Sequence, residues 1–192
     1  KVAGTLIPVF SLRSEGSFGV GDFGDLKLMI DWVAKTHQRL LQVLPINDST
    51  STHTWTDSYP YSCISVFALH PQYCDLRQLP AIDDKVETDR FEMLREELNA
   101  LPQIDYERVN NAKIKYLQML FKQEGKKVLK SEDFKSFFKA TNHWLVPYAQ
   151  YCYLRDKNGT CEFAKWEDHN QWNEADRDAL SNPQNKAFED VA

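Results

Sequence analysis

Gly4-Thr-Leu-Ile-Pro-Val-Phe-Ser-Leu-Arg13, then Gly19-Val-Gly-Asp-Phe-Gly-Asp25, then Leu40-Leu-Gln-Val-Leu-Pro-Ile46 is the stretch that decides the fold. Thr5 to Phe10 is a short apolar run with Pro8 inside it, suited to a buried strand near its end, where a missing N–H is tolerable. Gly16, Gly19, Gly21 and Gly24 make the next segment a loop. Asp22 is placed to cap a helix, and Asp25 adds a second carboxylate where the helix dipole favours one. Phe23, Leu26, Ile30, Val33 and Ala34 follow at helical spacing, which predicts an amphipathic helix to about Lys35. Arg39 to Leu44 reads as a second buried strand closed by Pro45. Strand, helix and strand in this order predict a right-handed βαβ unit of a parallel sheet, the only α/β segment in the chain.

Working outward, residues 47–62 are polar, rich in Ser and Thr, and too long for a simple connector. Loops at the C-terminal ends of parallel strands are where function concentrates. Beyond Leu79 the pattern turns helical. Phe91, Leu94, Leu98 and Leu101 mark one helix; Val109, Ala112, Tyr116, Met119 and Leu120 mark a longer one. Phe134, Phe137 and Phe138 mark a third. Thr141 is a candidate cap for a fourth carrying Trp144, Leu145, Tyr148 and Tyr151 and ending near Gly159, with Pro147 placing its true start near Val146. A last helix is expected around Glu174 to Leu180.

The 192 residues are 42% hydrophobic, enough for one sizeable core, yet a complete (β/α)8 barrel needs roughly 250 residues. A net charge of −5 without basic blocks argues against nucleic acid as a partner. No apolar stretch has the length of a membrane span, and no signal segment opens the chain. Lys1 in place of an initiator Met is compatible with an excised segment. Cys63, Cys74, Cys152 and Cys161 form no Cys-x-x-Cys pair and read as buried free thiols of a reducing compartment, which points to the cytoplasm. The five histidines are scattered, so a metal site is not expected.

Asp57-Ser-Tyr-Pro-Tyr-Ser62 is the most telling part of the polar loop. A Pro between two tyrosines stiffens the backbone, as a ring presented to a ligand requires. A phenol offers a face for sugar C–H groups and a hydroxyl for directional bonds. The same residues could equally wedge the loop against the sheet. Asn47, directly after the second strand, is a candidate ligand contact or a turn former. Gly19-Val-Gly-Asp-Phe-Gly24 has dinucleotide-fingerprint spacing, but a loop separates it from the strand and its acid would repel a pyrophosphate, so its glycines read as structural. Asp83-Asp84, Glu96-Glu97 and Glu132-Asp133 lie in charged helical sequence and read as solvated faces. Trp144, Trp166 and Trp172 suit helix packing, or an additional sugar platform.

These segments, with Ser65-Val-Phe-Ala-Leu-His-Pro71 and Trp144-Leu-Val-Pro-Tyr-Ala149, resemble the 4-alpha-glucanotransferases, most closely their larger branch with starch-binding modules ahead of the barrel. The resemblance implies an α/β fold: residues 1–75 as the opening βαβ unit of an incomplete (β/α)8 TIM barrel, and residues 76–192 as a mostly α-helical insertion. It implies α-1,4-glucans and maltooligosaccharides as partners, and segment transfer to an acceptor 4-hydroxyl by a retaining mechanism that requires no organic cofactor. By position in the Pro-Tyr step, Tyr61 is the tyrosine expected beside the glucose ring at the bond exchanged. Asp57 and Ser58 are further candidates, although here Tyr59 intervenes before the Pro. The nucleophile Asp, the acid/base Glu and a second Asp come from later strands and match no residue here, so the chain alone is expected to be inactive. Open strand edges predict that the isolated piece self-associates, leans on its helical part, or is a proteolysed remnant. The rival readings are a non-enzymatic helical interaction module and part of a related α-glucan hydrolase.

Overall fold

The computed structural model describes residues 2–191; Lys1 and Ala192 lie outside the described residues. Strand β1 (Gly4–Leu6) pairs in parallel with β2 (Leu40–Gln42), Thr5 opposite Leu41, and helix α1 (Phe23–Lys35) connects them. The sheet is shorter and more open than the apolar runs predict. The last ladder bond runs from Ile7 N to Gln42 O at 2.9 Å, after which Pro8 has no N–H to give and the chain enters a 3-10 turn, Val9–Ser11. Leu6 and Leu40 stand 57% and 55% exposed because two strands leave an uncovered face, which corrects the expectation of buried strands. For the same reason Ile30, on the apolar face expected of α1, is exposed.

The start of α1 follows local rules closely. Asp22 accepts from Gly24 N and Asp25 N, and Asp25 reaches back to Asp22 N at 3.1 Å, a reciprocal capping box. Gly19 sits at φ +75°, and a Cβ there would lie 2.8 Å from Leu98 Cβ. The motif is therefore built for backbone geometry and close packing, with its acid spent on the helix start.

The remainder is helical: α2 (Lys85–Ala100), α3 (Tyr106–Val128), α4 (Glu132–Asn158), α5 (Glu174–Leu180) and α6 (Phe188–Val191). Asp84 and Asp105 are the N-caps of α2 and α3; Asp84 is solvent-exposed, as read from the sequence, and also starts its helix. The two helices expected at Phe134 and Thr141 are one. Ser131 caps it, Thr141 bonds back to Phe137 O at 2.7 Å inside it, and Pro147 lies in its interior. An internal proline costs about 3 kcal/mol; buried Gln150, Leu154 and Arg155 on the following turns fasten the helix across that defect. It ends at Gly159, φ +65°, as expected.

Two cores result. Phe18 and Val20 from the glycine loop pack with Ile82, Phe91, Leu98, Val109 and Ala112, so the main core draws on both sides of residue 75. Leu154, Trp166, Leu180 and Ala187 form the second. Lys113 of α3, fully buried, joins the halves: its ammonium donates to Gln72 O (2.6 Å) and Cys74 O (2.8 Å) and lies 3.7 Å from Asp22. Burial pulls its pKa below the ordinary lysine value, opposed by Asp22.

Candidate functional site

The polar loop leaves β2 through Pro45 and returns at an antiparallel bridge between Asn47 and Leu69, with Asp48 N donating to Ala68 O and His70 N to Ile46 O. The bridge fixes the two roots of the loop, so everything between them is presented from the C-terminal end of β2. Asn47 is half-buried at this root.

Inside the loop the acids organise backbone. Asp57, 5% exposed, accepts from Thr52 N, Thr52 Oγ1 and His53 N, the last at 2.7 Å, while its carbonyl accepts from Ser49 Oγ. Its carboxylate is thus turned into its own loop. Ser58 donates to Trp55 O at 2.7 Å, closing the 3-10 turn Trp55–Ser58. Pro60 is buried and holds the chain while the neighbouring rings emerge. Tyr61 stands 60% exposed and Tyr59 59%, their centroids 5.6 Å apart at 58°. Of the four sequence candidates, Tyr61 is the one whose ring faces outward with a free surface; Asp57 and Ser58 serve loop geometry, and Asn47 anchors it.

The loop leans on the helices. Tyr148 of α4 donates to Asp48 Oδ2 at 2.6 Å, and Asp48 Oδ1 accepts from Thr50 N and Oγ1. Burial, with Asp48 beside it, raises the Tyr148 pKa, so the phenol stays protonated as the donor. Arg155 Nη1 donates to Thr50 O, and Asp156 meets His53 Nε2 at 2.8 Å. Desolvation raises the Asp156 pKa, but the hydrogen bonds from Arg155 and His53 outweigh it and leave the carboxyl below its ordinary value. From α3, Glu107 accepts from Trp55 N at 3.0 Å.

A cavity of about 770 Å³ lies between the loop, α3 and α4, with Asp48, His70, Asn110, Tyr148 and Arg155 on its walls. His70 Nδ1 accepts from Gln72 N, and burial lowers the His70 pKa against the pull of Asp48 and Asp57. The ring is therefore neutral with its proton on Nε2. His70 Nε2 and Asn110 Oδ1 are buried without a hydrogen-bond partner among the described residues. Trp144 stacks on Phe67 (5.3 Å, 20°), Trp166 is a core residue bonded to Thr160 O, and Trp172 is 67% exposed. Among the described residues no cluster of His, Cys, Asp or Glu could hold a metal, and no helix is long and apolar enough to cross a membrane.

Sequence reasoning named Tyr148 only as part of the helical pattern and the Trp144–Ala149 motif, and did not single out Asp48 or Arg155. The one available signal was α4 periodicity: residues 148, 152, 155 and 156 share a face.

Residues 7–192 match a family model described as 4-alpha-glucanotransferase. The chain is 41% identical over 172 residues to the 4-alpha-glucanotransferase DPE2 of Oryza sativa subsp. japonica, covering 88% of this chain and 17% of the relative. It is 37% identical over 146 residues to a 4-alpha-glucanotransferase of Chlamydia caviae, covering 76% of this chain and 27% of that protein. With one from Aquifex aeolicus the identity is 29% over 189 residues, 97% of this chain and 35% of the relative. The chain thus spans between about a sixth and a third of the length of these relatives.

Proposed function

The chain belongs to the 4-alpha-glucanotransferase family, and we propose that it supplies the opening of a (β/α)8 catalytic barrel and one wall of its glucan groove. Residues 1–75 carry the first βαβ unit with the substrate loop, and residues 76–192 form the insertion that braces it. The intact protein transfers α-1,4-glucan segments to the 4-hydroxyl of an acceptor glucan or glucose. In this reaction an Asp attacks the anomeric carbon as a Glu protonates the departing 4-oxygen. The glucosyl–enzyme bond is then broken by the acceptor hydroxyl, whose proton the Glu removes. Such retaining pairs need two carboxyls roughly 5–5.5 Å apart. Asp48 and Asp57, the buried acids of the loop, are engaged by Thr50, Tyr148, Thr52 and His53. We therefore assign the catalytic pair to later sequence and no catalysis to these 192 residues alone. Four free thiols favour a reducing, cytoplasmic setting, and the open edges of β1 and β2 favour self-association of the isolated chain.

The observation that carries this reading is Tyr61: an exposed ring fixed by a buried proline on the loop that leaves β2. Its face would pack against the donor glucose and its hydroxyl would bond a sugar hydroxyl. In the full-length protein, Tyr61→Ala should lower kcat/KM for redistribution of maltotriose by at least tenfold while the far-UV spectrum is unchanged. Unaltered kinetics would remove Tyr61 from the site. Release of free sugars without longer chains would instead mark a hydrolase.

A further inference from the structure

The insertion helix α4 presents one polar stripe, Tyr148, Cys152, Arg155 and Asp156, over two turns, and three members of it grip the loop that carries Tyr61. Tyr148 reaches the root: Asp48 accepts its hydroxyl at 2.6 Å, while the Asp48 carbonyl accepts from Ile64 N at 2.7 Å. Through Asp48, therefore, one phenol touches both the start of the loop and the segment three residues beyond Tyr61. Arg155 holds the next residues at Thr50 O, and Asp156 holds the tip at His53. His53 has φ +57°, a left-handed backbone that a non-glycine residue keeps only when its surroundings enforce it. Here the enforcement is visible as Asp57 on its N–H and Asp156 on its ring.

Resting on the substrate role of Tyr61, we propose that α4 is the positioning element of the donor site, with Tyr148 its principal positioning residue, acting through Asp48. Tyr148 touches no sugar. It fixes where the Tyr61 ring stands when the donor arrives, so its loss is felt in the transition state, where misplacement costs most.

The test uses the full-length protein, maltotriose as donor, and a temperature well below the melting point of every variant. Tyr148→Phe deletes one hydrogen bond to a charged acceptor and should lower kcat/KM about tenfold. In a Tyr61→Ala background the same change should have no further effect, because the ring it positions is gone. Asp48→Asn, which keeps a partner for the phenol, should stay within about threefold of wild type, whereas Asp48→Ala, which also frees Thr50, should lose at least as much as Tyr148→Phe. A merely structural role lowers kcat by the same factor in both backgrounds and leaves KM unchanged; that result overturns the proposal while leaving Tyr61 in place. If Tyr61→Ala itself leaves transfer intact, the functional reading and this inference fall together. Should Tyr148→Phe not fold, His53→Asn carries the test. Asn tolerates the left-handed backbone and cuts the exposed tie to Asp156, so a two- to threefold loss is expected that vanishes over Tyr61→Ala, and a loss that persists there refutes the proposal.

Discussion

Lys113→Met tests whether the helical insertion and the strand–helix unit are one folding body. Methionine keeps most of the volume and removes the ammonium, leaving Gln72 O and Cys74 O without their donor and Asp22, 2% exposed, with Arg77 at 3.2 Å as its remaining cation. Breaking a buried pair from one side costs about 3–5 kcal/mol, because the stranded partner stays desolvated. Relief of the desolvated ammonium offsets part of this, so about 3 kcal/mol is expected net, a large share of an ordinary 5–15 kcal/mol. With a urea slope near 2 kcal/mol/M, the midpoint of the 192-residue chain should fall by roughly 1.5 M. Adding Asp22→Asn, which preserves the cap, should restore about 1 kcal/mol or more. The pH dependence has a fixed sign. Burial depresses the folded pKa of Lys113 below its ordinary 10.5. Between the two values the unfolded chain binds more protons, so wild-type stability gains with pH there. The gap between wild type and Lys113→Met should consequently widen as pH climbs toward 10.5. A midpoint shift under 0.5 M, or a gap that narrows with alkalinity, would show that the two halves are joined by other contacts.

Two further outcomes follow from the loop and its brace. Asp57→Asn replaces a carboxylate accepting from two amides and a hydroxyl by a group with one acceptor, and should cost about 1–3 kcal/mol; hydrogen exchange at Thr52 and His53 should accelerate while amides of α2 keep their protection, and uniform acceleration would contradict a local role. Cys152, whose thiol burial pushes up to about 11, should be alkylated by iodoacetamide at pH 8 far more slowly than exposed Cys63, and equal rates in peptide mass spectrometry would refute the packing described for α4.

What could be read from the sequence was local. The capping box needs only Asp22 and Asp25 three residues apart, and the end of α4 needs only Gly159. Strand lengths were overestimated because an apolar run reports tolerance of burial, not how many neighbouring strands exist to provide it; Leu6 and Leu40 are exposed for want of a third strand. The division of α4 into two helices applied a sound rule to Pro147, and contacts on the following turns overrode it. Within the loop, the family resemblance drew attention to Asp57 as a ligand group; the structure shows its oxygens accepting from Thr52 and His53, bonds that sequence spacing did not reveal. Asp48 lacked any signal, since its partner Tyr148 lies 100 residues away.

That long separation bears on how the loop works. A 16-residue polar segment with little internal apolar packing beyond the Tyr59–Tyr61 ring contact has little to hold one conformation against its own chain entropy, at about 1–2 kcal/mol per ordered backbone residue. Its internal bonds, centred on Asp57, set the local turn but cannot fix the turn relative to the sheet. Contacts from outside the loop do that: the bridge between Asn47 and Leu69 holds its roots, and Glu107, Tyr148, Arg155 and Asp156 of α3 and α4 hold its body. Helix α4 is in turn anchored on α5 and α6 by Leu154 and Gln150, the latter donating to Arg177 O and Ser181 Oγ. The order of Tyr61 therefore depends on helices far along the chain, and truncation before α4 should leave β1, α1 and β2 with an unordered loop.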